Sequence, residues 1–297
     1  MPIHELAALG AALSWAVGGL ISTAPSRALG AMGFVRVRMV LVFAMLGTAA
    51  TVAGGWATIT APMWTPILLS GFVGIFLGDT ALFSCINRVG PRAAGLLFAT
   101  NAPITVLLAW LVLNETLSAV ALAGIALAFG GVALAILYGR RSTDPDHWLE
   151  RVTGPLSVAV AVGLLAALFQ AIGTLLARPV MQLEPDPIAV SAIRVGIAAL
   201  ALQAAAFVAP AARLRTPLTP RLVGEVALSG LLAMGIGMTL LLFALEGAKT
   251  GIVAVLSATT PVMILPILWA TTRTSPTAAS WVGAVATVAG TALIFLR

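Results

Sequence analysis

Residues 70–80 read SGFVGIFLGDT, and residues 229–239 read SGLLAMGIGMT. Both stretches begin with Ser-Gly, end with threonine and hold a glycine, Gly78 or Gly237, at the same internal position. Each lies inside a longer apolar segment, and similar segments follow one another along nearly the whole chain. The pattern indicates two related halves, both apolar.

Composition places these segments in a membrane. Of 297 residues, 60% are hydrophobic and only 9% are charged, against about a quarter charged in a soluble domain. Because about 20 apolar residues cross the hydrocarbon as a helix, the chain is expected to be an all-α integral membrane protein of about ten transmembrane helices. The predicted spans are Leu6–Thr23, Met32–Gly54, Thr65–Ile86, Ala93–Leu113, Ala119–Tyr138, Pro155–Ala177, Ile188–Val208, Leu222–Ala244, Gly251–Ala270 and Ala278–Phe295.

The one strongly polar stretch, GRRSTDPDHWLER at Gly139–Arg151, divides the chain nearly in half. It predicts a first repeat at 1–138, a linker at 139–152 and a second repeat at 153–297. Since about five spans per half is an odd number, the repeats must enter the membrane in opposite directions, as in many secondary transporters. We therefore expect two inverted five-helix repeats around a central cavity.

The net charge of +6 reflects topology, because nearly all the basic residues sit at the ends of apolar runs. No nucleic-acid partner is expected. With alternating spans, Arg178, Lys249 and Arg297 share the side of the termini, whereas ten basic residues share the linker side. Taken alone, this bias puts the linker in the cytoplasm and both termini outside.

The sequence offers no catalytic or metal-binding constellation. It has one cysteine, Cys85, and two histidines, His4 and His147, that lie far apart, so neither a disulfide nor a metal centre is expected. A Walker A loop, a nucleophile elbow and a zinc-protease motif are all missing from the sequence. We therefore expect no enzyme activity and no cofactor, and a transport process would be driven by a gradient of protons, ions or the solute itself.

Asp79 is the one carboxylate well inside an apolar segment. A charge there costs about 2.5–3.5 kcal/mol on insertion scales, so it should face a cavity or a partner. Two interpretations stand. In one, Asp79 binds a substrate ammonium or carries a proton; in the other, it forms a structural ion pair with Arg36, Arg38 or Arg194, or lies closer to the membrane interface. Its counterpart in the second half is Met238, so any charge chemistry belongs to one half. Phe83, one turn further on, and Met238 are candidates for the wall of the same cavity.

Arg38 and Arg194 lie at similar depths in the second helix of each half. Their side chains either extend to the membrane interface, form closing contacts between the halves, or hold a substrate carboxylate through two hydrogen bonds.

The fourth helices offer the best cavity lining, because polar side chains precede a proline in both. Proline removes a helix hydrogen bond and leaves the carbonyl four residues back free, here that of Ala99 or Ser257. Pro103 and Pro261 are therefore candidate kinks, and Gly78 and Gly237 are candidate hinges. The polar and aromatic candidates beside the prolines are Phe98, Thr100, Asn101, Ser257, Thr259 and Thr260. Trp15 and Gln170 occupy equivalent places in helices 1 and 6 and are predicted to line the cavity from both sides.

The chain resembles the EamA-type repeat of the drug/metabolite transporter superfamily over essentially its whole length. The residues that carry the resemblance are Ser14-Trp15-Ala16, Gly18, Arg38, Pro103, Leu113-Asn114-Glu115, Gly124 and Gly130-Gly131. The second half departs from the pattern, since Arg273 stands where the first has Glu115. The resemblance implies a bundle of ten helices and, against the charge count, cytoplasmic termini, so the orientation stays open.

The span pattern and the two inverted halves predict a secondary transporter that works by alternating access. The resemblance further implies export of amino acids, aromatic or otherwise hydrophobic, or of related small metabolites. A channel-like or facilitative permease for other amphipathic metabolites, and a non-transporting membrane scaffold, are the alternatives. The expected partners are a small-molecule solute and the lipid bilayer. We expect a monomer in the cell membrane, the inner membrane if the protein is bacterial.

Overall fold

The computed structural model describes residues 3–113, 118–138, 152–181, 183–247, 256–273 and 275–295. Three features of the sequence lie outside these ranges: the linker Gly139–Arg151, the Asn114-Glu115 pair and the first residues, 251–255, of the ninth predicted span. The described residues contain no β-strand. Their helices are α1 (Ile3–Leu29), α2 (Ala31–Ala53), α3 (Trp64–Ser70), α4 (Gly78–Ala99), α5 (Asn101–Leu113), α6 (Ala119–Tyr138), α7 (Leu156–Met181), α8 (Pro187–Val208), α9 (Pro220–Gly230), α10 (Met238–Gly247), α11 (Thr260–Thr272) and α12 (Ala278–Phe295).

Most of these helices suit a bilayer. Within the described ranges, seven helical runs are long and apolar enough to cross a membrane, judged by length and composition, and α11 and α12 are shorter apolar helices. Large apolar side chains point away from the bundle: Val52 and Phe207 are each 84% exposed. Hydrocarbon can solvate such a surface, because the helices satisfy their own backbone hydrogen bonds.

One run, Ala61–Leu108, covers 48 residues, about twice what crosses the hydrocarbon. It bends at Gly90, where the backbone has φ 81° and ψ 169°. Glycine adopts this conformation readily and other residues rarely do, and the following Pro91 disfavours a helical conformation in the residue before it. The run therefore divides at Gly90 into two pieces of membrane length, at the polar break that the sequence places between its third and fourth spans.

Two π-helical turns, Gly71–Leu77 and Leu231–Gly237, lie at matching places in the two halves. The first begins directly after Ser70 and the second two residues after Ser229, and these serines are paired in the sequence repeat. The turns join α3 to α4 and α9 to α10. Such turns are rare inside α-helices and are frequent at functional sites.

Each half packs its first helix on the π-helical turn of the other half. A Cβ atom added to Gly18 of α1 would lie 3.2 Å from the Cβ of Ala233. A Cβ atom added to Gly173 of α7 would lie 2.6 Å from the Cα of Gly74. Small residues thus allow the backbones to approach closely, and the two halves form one bundle.

Helices α6 and α12 also meet through glycines. A Cβ atom on Gly124 would lie 2.7 Å from the carbonyl oxygen of Gly290, and one on Gly131 would lie 2.6 Å from that of Gly283. Residue numbers rise along one helix as they fall along the other, so these equivalent helices of the two halves run antiparallel.

Candidate functional site

A cavity of about 400 Å³ lies between the two halves, within the size range of small-molecule sites, about 300–1,000 Å³. Both halves contribute side chains to its wall. Nine of the side chains that the sequence predicts for a cavity border it: Trp15, Asp79, Phe83, Phe98, Asn101, Gln170, Met238, Ser257 and Thr260. Helices that are distant in sequence therefore converge on one space.

Asp79 and Arg38 form an ion pair at the cavity wall. Nη1 of Arg38 lies 3.3 Å from Oδ2 of Asp79, and the two side chains are 3% and 9% exposed. The guanidinium carbon of Arg38 also lies 5.1 Å from the ring centroid of Phe83 and 5.8 Å from that of Phe34, where a cation is attracted to the ring. Of the two interpretations of Asp79, the geometry gives the ion pair, with Arg38 as the partner.

Arg194 approaches the same space from α8 and also borders the cavity. Its Nε is buried and has no hydrogen-bond partner among the described residues. A Cβ atom on Gly74 would lie 3.5 Å from its Nη2 and 3.8 Å from Oε1 of Gln170. Both guanidinium groups lie inside the bundle at the cavity wall. Of the three alternatives for these arginines, this placement favours the two that put them between the halves.

The charged side chains that border the cavity do not balance among the described residues. Arg38 and Arg194 contribute two positive charges and Asp79 one negative charge, a formal total of +1. Most of the remaining wall is apolar and includes Phe83, Phe98 and Met238. The space therefore suits a solute with an apolar body and a negatively charged group.

Trp15 links the halves across the cavity. Its indole Nε1–H donates a hydrogen bond to the carbonyl of Ala233 at 2.8 Å, and that carbonyl belongs to the second π-helical turn. A Cβ atom on Gly237 would lie only 2.7 Å from Nε1 of Trp15. Gly237 thus makes room for the indole, and its partner Gly78 lies at the matching end of the first π-helical turn.

The fourth helix of each half is broken beside the cavity. In the first half, Nδ2 of Asn101 donates to the carbonyl of Phe98 at 2.6 Å. In the second half, Oγ1 of Thr260 donates to the carbonyl of Ser257 at 3.0 Å, the carbonyl that Pro261 leaves without its helical donor. Polar side chains thus satisfy backbone carbonyls at both breaks.

Thr100 and Thr259 do not border the cavity. Their hydroxyls donate to the carbonyls of Leu97 and Leu256, both at 2.6 Å. Each hydroxyl therefore caps the end of the preceding helical turn instead of lining the wall.

The two prolines predicted to mark kinks each lie at the start of a helix, directly after a break. Pro103 is the third residue of α5 and Pro261 the second residue of α11. Proline is well tolerated in the first turn, where its missing N–H has no helical partner. The breaks fall just before, at Thr100 and at Ala258-Thr259.

Sequence reasoning missed Phe34, Gly74 and the two π-helical turns. Gly74 could have been found, since Gly71, Gly74 and Gly78 recur on the stretch that leads to Asp79, the one carboxylate well inside an apolar segment. Phe34 carried no signal, because its role depends on the rotamer of Arg38. Within the described ranges, no group of three or more His, Cys, Asp or Glu side chains could hold a metal ion.

The fold and the site define a helical membrane protein with a solute-sized cavity between two related halves, the arrangement of a membrane transporter. The sequence profile of the EamA-like transporter family matches residues 3–137 and 157–296. The chain belongs to this family, which confirms the resemblance predicted from the sequence, and it is a multi-pass membrane protein.

Solved structures share the fold. One, described only as "Crystal structure of protein", matches with a TM-score of 0.70 over 99% of this chain and 96% of its own length, at 18% sequence identity. At that identity the likeness concerns the fold alone. No curated protein matches the chain.

Proposed function

We propose that the protein is a secondary transporter that exports amino acids, aromatic or otherwise hydrophobic, or related small metabolites. The observation that supports this best is the cavity of about 400 Å³ between the halves, with the Arg38–Asp79 pair and Arg194 in an otherwise largely apolar wall. A free amino acid combines an apolar body with charged groups and needs such a mixed site.

The proposed architecture has ten spans in two inverted repeats. The division of the long helical run at Gly90 supports the count in the first half. The antiparallel crossing of α6 and α12 at their glycines supports the inversion, because these are equivalent helices of the two repeats. The profile matches end at residue 137 and resume at 157, on either side of the proposed linker.

The proposed mechanism is alternating access, in which spans three and four move against spans eight and nine. The matched π-helical turns and the matched helix breaks support it, because they weaken the helices at corresponding points of both repeats. The solute would bind between these points, near the middle of the bilayer. The driving force would be a gradient of protons, ions or the solute. The protein would act as a monomer in the cell membrane, the inner membrane if bacterial.

Counterflow into proteoliposomes tests the transport function. Vesicles preloaded with an unlabelled amino acid should accumulate the labelled one and saturate, for at least one member of a panel that includes phenylalanine and leucine. A channel-like permease would equilibrate label without counterflow, and a scaffold would behave like protein-free vesicles; either result would refute the proposal.

Orientation needs a separate measurement. Reporter fusions at Arg141 and after Arg297 should report opposite compartments if the chain has ten spans and the linker follows the fifth. The compartment of the linker then decides between the arginine bias and the family expectation. Identical compartments at both sites would disprove the ten-span arrangement.

A further inference from the structure

Two arginines and one carboxylate, Arg38, Arg194 and Asp79, border the cavity among the described residues, so one positive charge has no negative counterpart there. Arg38 is bonded to Asp79 at 3.3 Å and stacked near two aromatic rings. Asp79 also lies within electrostatic reach of Arg194, yet one carboxylate cannot neutralise two guanidinium groups. The buried Nε atoms of Arg38 and Arg194 both lack a hydrogen-bond partner among the described residues. Arg38, however, is bonded to Asp79 through its Nη1, whereas Arg194 is not. A buried cation in this condition is costly unless an anion accompanies it.

We propose that Arg194 is the anion-binding group of the cavity and selects solutes by a single carboxylate, an inference that rests on the proposed transport function. A monoanion brings the formal charge of the described wall from +1 to zero, whereas a dianion reverses it. The planar guanidinium matches a carboxylate with two parallel hydrogen bonds. Arg194 borders the cavity, so a solute carboxylate there can reach its guanidinium group.

The same geometry gives the ammonium group of an amino acid no acidic partner. Asp79 is the one carboxylate among the described residues of the wall, and Arg38 occupies it. The apolar side chains around the cavity, among them Phe98, Met234 and Ile264, receive the body of the solute. The substrate class is therefore hydrophobic monocarboxylates, with the amino group permitted and not required.

Three probes of nearly equal shape separate the recognised groups. Phenylalanine carries both groups, 3-phenylpropionate carries only the carboxylate, and phenethylamine carries only the ammonium. In counterflow of labelled phenylalanine, 3-phenylpropionate should compete within a few-fold of phenylalanine itself, and phenethylamine should be at least about tenfold weaker, because a hydrogen-bonded charge pair is lost. In detergent, 3-phenylpropionate should raise the Tm of the protein and phenethylamine should not.

The variant Arg194→Gln tests the assigned residue. It should raise the half-saturation concentration for 3-phenylpropionate by about tenfold to a hundredfold and bring it close to that for phenethylamine. Arg194→Lys keeps the charge without the planar fork and should lie between. Arg221→Gln is the matched control, since it removes one positive charge from a side chain that is 90% exposed and should change neither value.

The outcomes separate the two proposals. If no amino acid shows counterflow and no probe shifts the Tm, the transport function fails, and the carboxylate site fails with it. If phenylalanine exchanges but phenethylamine competes as well as 3-phenylpropionate, or better, the transport function stands and the carboxylate site is refuted. Competition on the unmodified protein decides this even if Arg194→Gln does not fold.

Discussion

The replacement Asp79→Asn tests the ion pair at the centre of the molecule. It removes one charge with little change in shape and leaves the guanidinium of Arg38, 3% exposed, without its counter-ion. At 3.3 Å and an effective dielectric constant of about 20, the Coulomb attraction is about 5 kcal/mol. The asparagine oxygen still accepts a hydrogen bond, and the rings of Phe34 and Phe83 still attract the cation. We therefore expect a loss near the lower end of the range for breaking a buried pair, about 3 kcal/mol.

The assay is thermal unfolding in detergent, with Arg38→Gln and the double variant measured beside it. Asp79→Asn should lower the Tm by several degrees. The double variant should be less destabilised than the sum of the single variants, because neither member of the pair is left buried without the other. Purely additive effects would show that the two residues are not coupled. A variant with the wild-type Tm but no transport, or with transport that no longer depends on pH, would refute the structural role and assign Asp79 to the solute or to protons.

Three further changes probe the cavity and its surroundings. Gly95→Leu should abolish counterflow without unfolding, because Gly95 borders the cavity and an added Cβ atom meets no atom within 4 Å; Gly130→Leu, equally unobstructed but outside the wall, is the control. Trp15→Phe removes the bond to Ala233 and should lower stability by about 1 kcal/mol; an unchanged Tm in a melting experiment would contradict this. Pro103→Ala or Pro261→Ala should leave the Tm unchanged or higher and should slow transport. Alanine restores the backbone N–H that proline lacks, so the helix can become continuous across the break. Wild-type rates in proteoliposomes for both would remove the breaks from the mechanism.

Much of the fold followed from local pattern. Apolar runs of membrane length are read directly from composition, since the bilayer forces the backbone into helices wherever it crosses. The polar break near Gly90 and the paired stretches at 70–80 and 229–239 predicted where the longest helical run divides and which segments correspond. The exact count of spans stays a prediction.

Part of the site followed as well, for the same reason. A charge or a polar side chain in an apolar helix must face a partner or a cavity, so the pattern of the sequence is enough to single out Asp79, Asn101, Gln170 and Thr260. Thr100 and Thr259 met the same criterion, but they are satisfied by the carbonyls of their own helices. A sequence does not distinguish a hydroxyl that lines a wall from one that caps a turn.

The sequence by itself determined that the chain lies in a membrane, that it is helical, that it has two related halves and that Asp79 is an unusual carboxylate. Each of these conclusions depends on the composition or pattern of individual segments. Only the tertiary structure decided which arginine holds Asp79. That choice depends on how α2 and α8 approach α4. Gly71 allows the close approach of α8, since a Cβ atom added there would lie 2.5 Å from the carbonyl oxygen of Arg194. Pairing is a property of distances between helices that are remote in the chain. The sequence therefore supplied two equivalent arginines, and the packing bonded Arg38 to Asp79 and left Arg194 without that bond.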